Sequence, residues 1–205
     1  MAEQLTPEQA AALQEKLKQM SPEQIQELVK KQCVFCRIVA GEIPSKKVYE
    51  DDNFLAFLDI NPANIGHVLV VTKDHFSVLP QLPNELAAKY FVLVKELSAR
   101  IYDALGAQGI NILQNNGPAA GQEVPHIHIH IIPRFEEDGV RFTWEPKKAE
   151  ESEVDAVLNK IKAKAKDIDI KGVSVSKKKE VIEMTEEREQ FDSKGAAPSP
   201  ARRIP

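Results

Sequence analysis

The sequence predicts an α+β fold: an antiparallel β-sheet with one long helix and a C-terminal helix, preceded by a short helical arm. Three observations predict it. Apolar residues recur at helical spacing over Asn84–Leu105, through Leu86, Tyr90, Leu93, Val94, Leu97 and Ile101, and the run stops at Gly106. Strand-like segments cluster on both sides of that one long helix. In one of them, His126-Ile127-His128-Ile129-His130-Ile131-Ile132-Pro133, polar and apolar residues alternate with a period of two. On a strand the three imidazoles then share one face, and Ile127, Ile129 and Ile131 face the core.

The elements follow in order. Residues 1–32 read as a helical extension of two short helices. Thr6-Pro7-Glu8-Gln9 and Ser21-Pro22-Glu23-Gln24 each supply a hydroxyl cap, a proline at the first helical position and a glutamine placed for a capping box. Residues 33–166 have the texture of a domain. Lys46–Tyr49 and Asn53–Leu58 form a hairpin around Glu50-Asp51-Asp52, and His67–Thr72 is a strongly apolar strand. Gly109–Gln114 and His126–Ile132 are two more strands, and Glu151–Lys166 is an amphipathic helix carrying Val154, Val157, Leu158 and Ile161. Residues 167–205, with Lys177-Lys178-Lys179, a Glu-rich stretch and Pro198-Ser199-Pro200, have the composition of a disordered tail.

Composition narrows the function classes. The 205 residues are 42% hydrophobic and 28% charged, ordinary for a soluble globular protein. A net charge of −4 gives no global attraction to nucleic acid or anionic membrane. No apolar run is long enough to span a bilayer, and the start has neither a basic nor an apolar leader region, so the expected location is cytoplasmic. Both cysteines fall in Cys33-Val34-Phe35-Cys36, a spacing that suits metal or redox use in a reducing compartment better than a disulfide framework.

Three of the five histidines fall within five residues. Residues two apart on a strand are separated by about 6.5–7 Å, so His126 and His130 stand about 13 Å apart. Three such rings do not converge easily on one ion at bond lengths of about 2 Å. They suit divided roles: a central imidazole can attack phosphorus while a neighbour stabilises the phosphate oxygens. Gly117 and Gly121, in the loop before the strand, permit backbone amides to approach a phosphate closely.

The stretch Gly117–Arg134, with its Gly-Gln turn followed by His-φ-His-φ-His-φ-φ, resembles the histidine triad (HIT) superfamily. Further blocks resemble it in the same order: Cys33-x-x-Cys36-Arg37-Ile38 through Glu42-Ile43-Pro44, Ala56-Phe57-Leu58-Asp59, Gly66-His67-Val68-Leu69-Val70 and Lys73-Asp74-His75. The resemblance covers residues 33–165 and points to the Hint/Fhit-like hydrolase branch, since nucleotidyltransferase relatives carry glutamine at the place of His130. It implies the HIT fold, His128 as a nucleophile forming a nucleotidyl-histidine intermediate, and His130 and His67 as its phosphate-side partners. It also implies nucleotide contacts at Asp59 (ribose), Asn115, Gly121 and Gln122. Val34, Phe35, Ile38, Ile43, Phe57 and Ile60 match apolar positions around the base, although taken alone such residues default to core. Glu123 stands where relatives often have Ser or Thr, a departure that bears on the leaving group more than on the reaction class.

By itself Cys-x-x-Cys fits either zinc or thioredoxin-like redox chemistry; the redox reading calls for a preceding strand and a helix opening at the motif. Relatives with this pair imply a closed structural zinc site of Cys33, Cys36, His75 and His126. The resemblance also implies a homodimer that extends the sheet, and no membrane or nucleic-acid partner is indicated. The expected function is hydrolysis at the α-phosphate of an adenosine-like nucleotide, a phosphoramidate or a dinucleoside polyphosphate. Two other readings stand beside it: a nucleotide-binding interaction protein with little turnover, and a histidine-rich metal module.

Overall fold

The computed structural model describes residues 6, 15 and 18–168. The first expected helix and the expected tail beyond residue 168 lie outside the described residues for most of their length. Helix α1, Pro22–Gln32, begins where its cap signals place it. The Ser21 side chain accepts from the Gln24 amide and the Gln24 side chain accepts from the Ser21 amide, closing the capping box. Cys33 ends α1 and caps α2, Val34–Val39, its sulfur facing the Cys36 amide.

Five strands follow: β1 Lys47–Glu50, β2 Phe54–Leu58, β3 Val68–Thr72, β4 Gly109–Leu113 and β5 His128–Arg134. They form one fully antiparallel sheet in the order β1-β2-β3-β5-β4. The β1–β2 turn is held by Asp51, whose carboxylate accepts from the amides of Asn53 and Phe54. Helix α3, Asn84–Leu105, has the bounds its periodicity predicts and ends at Gly106 in the left-handed conformation.

Period-two alternation gives the sheet two unlike faces. On one, Phe54, Ala56, Val68, Val70, Ile127, Ile129 and Ile131 pack against Tyr90, Val94, Leu97 and Ile101 of α3. The Tyr90 hydroxyl crosses this core to donate to the Val70 carbonyl at 2.5 Å, so the helix is fixed to the sheet by a polar bond as well as by packing. On the other, Leu55, Phe57, Leu69 and Val71 pack against Cys33, Phe35 and Ile38 of the α1–α2 segment. The histidines emerge on this second face.

Two expectations shift. The histidine strand begins at His128 rather than His126, because its ladder on β3 ends at the Val71–His128 pair; the Ile127 amide bonds instead to the Phe76 carbonyl in the following loop. The C-terminal helix forms as α4, Glu151–Ala165, but none of its residues is buried. Among the described residues every buried one lies between Cys33 and Pro133.

Candidate active site

His128 is at the start of β5, 7% exposed, with its ring edge-on to Phe35 at 5.1 Å between centroids and to His130 at 4.9 Å. Its Nδ1 lies 2.7 Å from the His126 carbonyl oxygen. That oxygen can only accept, so Nδ1 carries the proton and Nε2 is left with the lone pair. Burial holds the ring below the ordinary imidazole pKa, against the opposing pull of the His126 carbonyl and Asp59.

A second chain of hydrogen bonds fixes the neighbours. The Ala63 amide donates to His67 Nδ1 at 3.2 Å, so the neutral His67 ring is protonated at Nε2. His67 Nε2 lies 2.9 Å from His130 Nδ1 and donates to it, which leaves His130 protonated at Nε2. Two adjacent imidazoles therefore present opposite chemistry: a lone pair on His128 and an N–H donor on His130. Burial, with His128 and His67 opposing a further positive charge, lowers the His130 pKa to about 4 while Asp59 pulls the other way. Burial likewise lowers His67, and Asp59, 3.6 Å from its Nδ1, opposes the shift.

The β2–β3 loop sets these positions. The Asp59 amide donates to the His67 carbonyl, and the His67 amide donates to the Asn64 carbonyl. Gly66 has φ +88°, and a Cβ there would collide with the Leu105 side chain, so only glycine lets the loop close onto the end of α3. Asn64 also donates to Asp138, whose carboxylate accepts from Arg134 and from the amides of Phe135 and Val140.

The loop before β5 interlocks with itself. Gln122 is buried; its carbonyl oxygen accepts from the Gly117 amide at 2.7 Å, and its nitrogen donates to the Ser77 and Val124 carbonyls. Its side chain thus braces the loop frame. Asn115 donates weakly to the Gly121 carbonyl at 3.5 Å, and Gly117 and Gly121 both have positive φ, at +85° and +80°. Of the apolar candidates, Phe35, Ile38, Ile43 and Phe57 gather in the cluster beneath His128, whereas Ile60 is 87% exposed and stands apart.

The cysteines meet two histidines. Donor atoms of Cys33, Cys36, His75 and His126 all lie within 4.8 Å of one another. His126 Nδ1 is 3.4 Å from Cys33 Sγ and 3.5 Å from Cys36 Sγ, and His75 Nδ1 is 3.3 Å from Cys36 Sγ. Tetrahedral ligation at about 2.0–2.3 Å requires ligand separations of about 3.3–3.8 Å, so the four fit a zinc ion. His126 Nε2 donates to the Thr72 carbonyl at 2.9 Å, which leaves Nδ1 unprotonated toward the sulfurs. Burial and the adjacent Cys33 push the Cys36 thiol up to about 12. Helix α2 does open at the motif, but α1 precedes it, not the strand a thioredoxin-like setting needs.

Sequence reasoning missed the groups that set the tautomers: the Ala63 amide and the Thr72 and His126 carbonyls. It also missed Asp138, whose one signal was an acid placed four residues after Arg134.

Residues 40–137 match the HIT domain. An uncharacterised HIT-like protein of Methanocaldococcus jannaschii is 47% identical over 132 residues, which are 63% of this chain and 98% of that protein. The adenosine 5′-monophosphoramidase of Schizosaccharomyces pombe is 41% identical over 135 residues, 65% of this chain and 98% of its own length. The crystal structure of a zinc-bound histidine triad family protein from Mycobacterium smegmatis, 37% identical, superposes with a TM-score of 0.52 over 66% of this chain and 99% of its own. The matched residues 40–137 carry the sheet and the three histidines, the relatives align over nearly their whole length, and the chain belongs to the histidine triad (HIT) family.

Proposed function

We propose that this chain is a nucleotide hydrolase that cleaves at the α-phosphate of an adenosine-like nucleotide through a nucleotidyl-His128 intermediate. The observation that carries the reading is the 2.7 Å bond from His128 Nδ1 to the His126 carbonyl, which reserves Nε2 as a nucleophile. In the first step the Nε2 lone pair forms a bond to phosphorus as the bond to the leaving group breaks. The His130 Nε2–H faces negative charge developing on the phosphate oxygens, and its tautomer is held by His67. Water oxygen then bonds to phosphorus as the P–Nε2 bond breaks, releasing the nucleoside monophosphate and returning the electron pair to His128 Nε2.

Asp59, at the end of β2, accepts from the ribose hydroxyls. Asn115 and the amides around Gly121 meet the phosphate side, and Phe35, Ile43 and Phe57 floor the base pocket. Gln122 acts through the loop it braces. The S. pombe relative's activity on an adenosine monophosphoramidate makes phosphoramidates the first substrates to try, ahead of dinucleoside polyphosphates.

Cys33, Cys36, His75 and His126 hold a structural zinc; such a site supplies folding energy and no open position for water. A second copy pairs across the β4 edge, where Ile112 is exposed.

The test is His128→Ala against a panel of adenosine phosphoramidates and dinucleoside polyphosphates. Turnover is expected to vanish while nucleoside monophosphate still binds. Unchanged turnover overturns the mechanism, and tight binding with no hydrolysis by the native chain overturns the enzyme reading.

A further inference from the structure

Helix α4 carries a row of apolar side chains that nothing among the described residues covers. Val154, Leu158 and Ile161 are 52%, 42% and 61% exposed, and Ala165 continues the line. The four-three-four spacing of Val154, Leu158, Ile161 and Ala165 is the alternation of a coiled-coil seam, and Val157, 53% exposed, widens the stripe on one side. The charges are segregated along the same helix. Glu150, Glu151, Glu153 and Asp155 occupy its first half; Lys160, Lys162, Lys164 and Lys166 occupy its second. That order suits the helix dipole, and it also makes the helix complementary to a reversed copy of itself.

We infer that α4 pairs antiparallel with α4 of a second copy of this chain, about a two-fold axis passing between Asn159 and Lys160. In that arrangement Leu158 layers against Ile161 of the second copy and Val154 against Ala165, and each layer occurs twice by symmetry. Asp155 and Lys162 flank the seam on one side, seven residues apart, and meet across the pair as opposite charges. A parallel pair brings acid beside acid and lysine beside lysine, which disfavours it. An anionic membrane surface is a poorer occupant, because the acidic first half faces it with like charge. The helix that carries the seam has 15 residues, about 22 Å, so the association is expected to depend on concentration rather than to be obligate. This surface is separate from the β4 edge and from the histidine face.

The experiment mixes ¹⁵N-labelled and unlabelled full-length chain and applies a zero-length carbodiimide crosslinker, with peptides read by mass spectrometry. The expected product joins Asp155 of one isotope to Lys162 of the other, and it disappears in Leu158→Asp/Ile161→Asp. Both side chains of that variant are exposed, so its core is not at stake, and circular dichroism checks its helix. By sedimentation, Asp155→Lys and Lys162→Asp each weaken association and the two together restore it. Crosslinks confined to single chains, a mixed crosslink that persists in the seam variant, or charge exchanges without effect would each overturn the pairing.

Discussion

At His126 the backbone and the ring serve different neighbours. Its carbonyl takes the Nδ1 proton of His128, while its ring turns Nδ1 toward Cys33 and Cys36. Cys33→Ser is therefore expected to lose bound zinc, from about one ion per chain to none, and His128→Ala is expected to keep it; elemental analysis of the purified proteins checks both. His67 and His130 predict a pH dependence. The unfolded chain takes up protons near the free-imidazole value of about 6.5, whereas His67 resists to lower pH and His130 to about 4. Between these values the unfolded state binds more protons, so unfolding free energy from these two groups is full above about 6.5 and declines as pH falls toward about 4. Urea titrations at pH 7.5, 6, 5 and 4 check the sign, and a midpoint that rises on acidification contradicts it. His126, His128 and His130 stood out because imidazoles at period two are a rare pattern, whereas His67 was named only through the family resemblance. Their protonation was not legible, because the Ala63 amide and the Thr72 and His126 carbonyls are backbone atoms common to every residue.

Elements differ in how much of their placement is local. Helix α3 was readable at both ends, since its apolar period and Gly106 are properties of its own sequence. Strand β5 was misplaced by two residues because its beginning is decided by where β3 stops offering partners. Helix α4 formed where expected, yet amphipathic spacing alone does not say whether the apolar side is covered. The loop before β5 depends on one buried amide. Gln122→Ala removes three hydrogen bonds and leaves the Gly117 amide without its partner, at an expected cost of about 1–3 kcal/mol in denaturant unfolding. Activity is expected to fall with it, and Gln122→Glu, whose acceptor-only carboxylate faces the Ser77 and Val124 carbonyls, should not recover the loss. Ile129, fully buried between β3 and α3, is a simpler case. Ile129→Ala should cost about 2–5 kcal/mol, read as a lower denaturation midpoint at unchanged slope.

The described residues build one sheet with a different occupation on each side, α3 on the first and the α1–α2 segment with the histidines on the second. The proposed dimer across β4 predicts more than a monomer by sedimentation at micromolar concentration, and a shift toward monomer in Ile112→Lys. Both are measured in the Leu158→Asp/Ile161→Asp background so that α4 does not contribute; a monomer before the Ile112 change counts against the edge contact. The division between the two faces was legible from the alternation of histidine and isoleucine. What lies over each face was not, because covering is a long-range property of the chain.

The strict alternation along β5 also makes the molecule intolerant of error. A single residue inserted into that strand would turn the imidazoles beyond it into the greasy layer under α3 and drive isoleucines out toward the cysteines. Such a chain loses its core and its chemistry at the same stroke, so no half-right registration survives as a stable but idle enzyme.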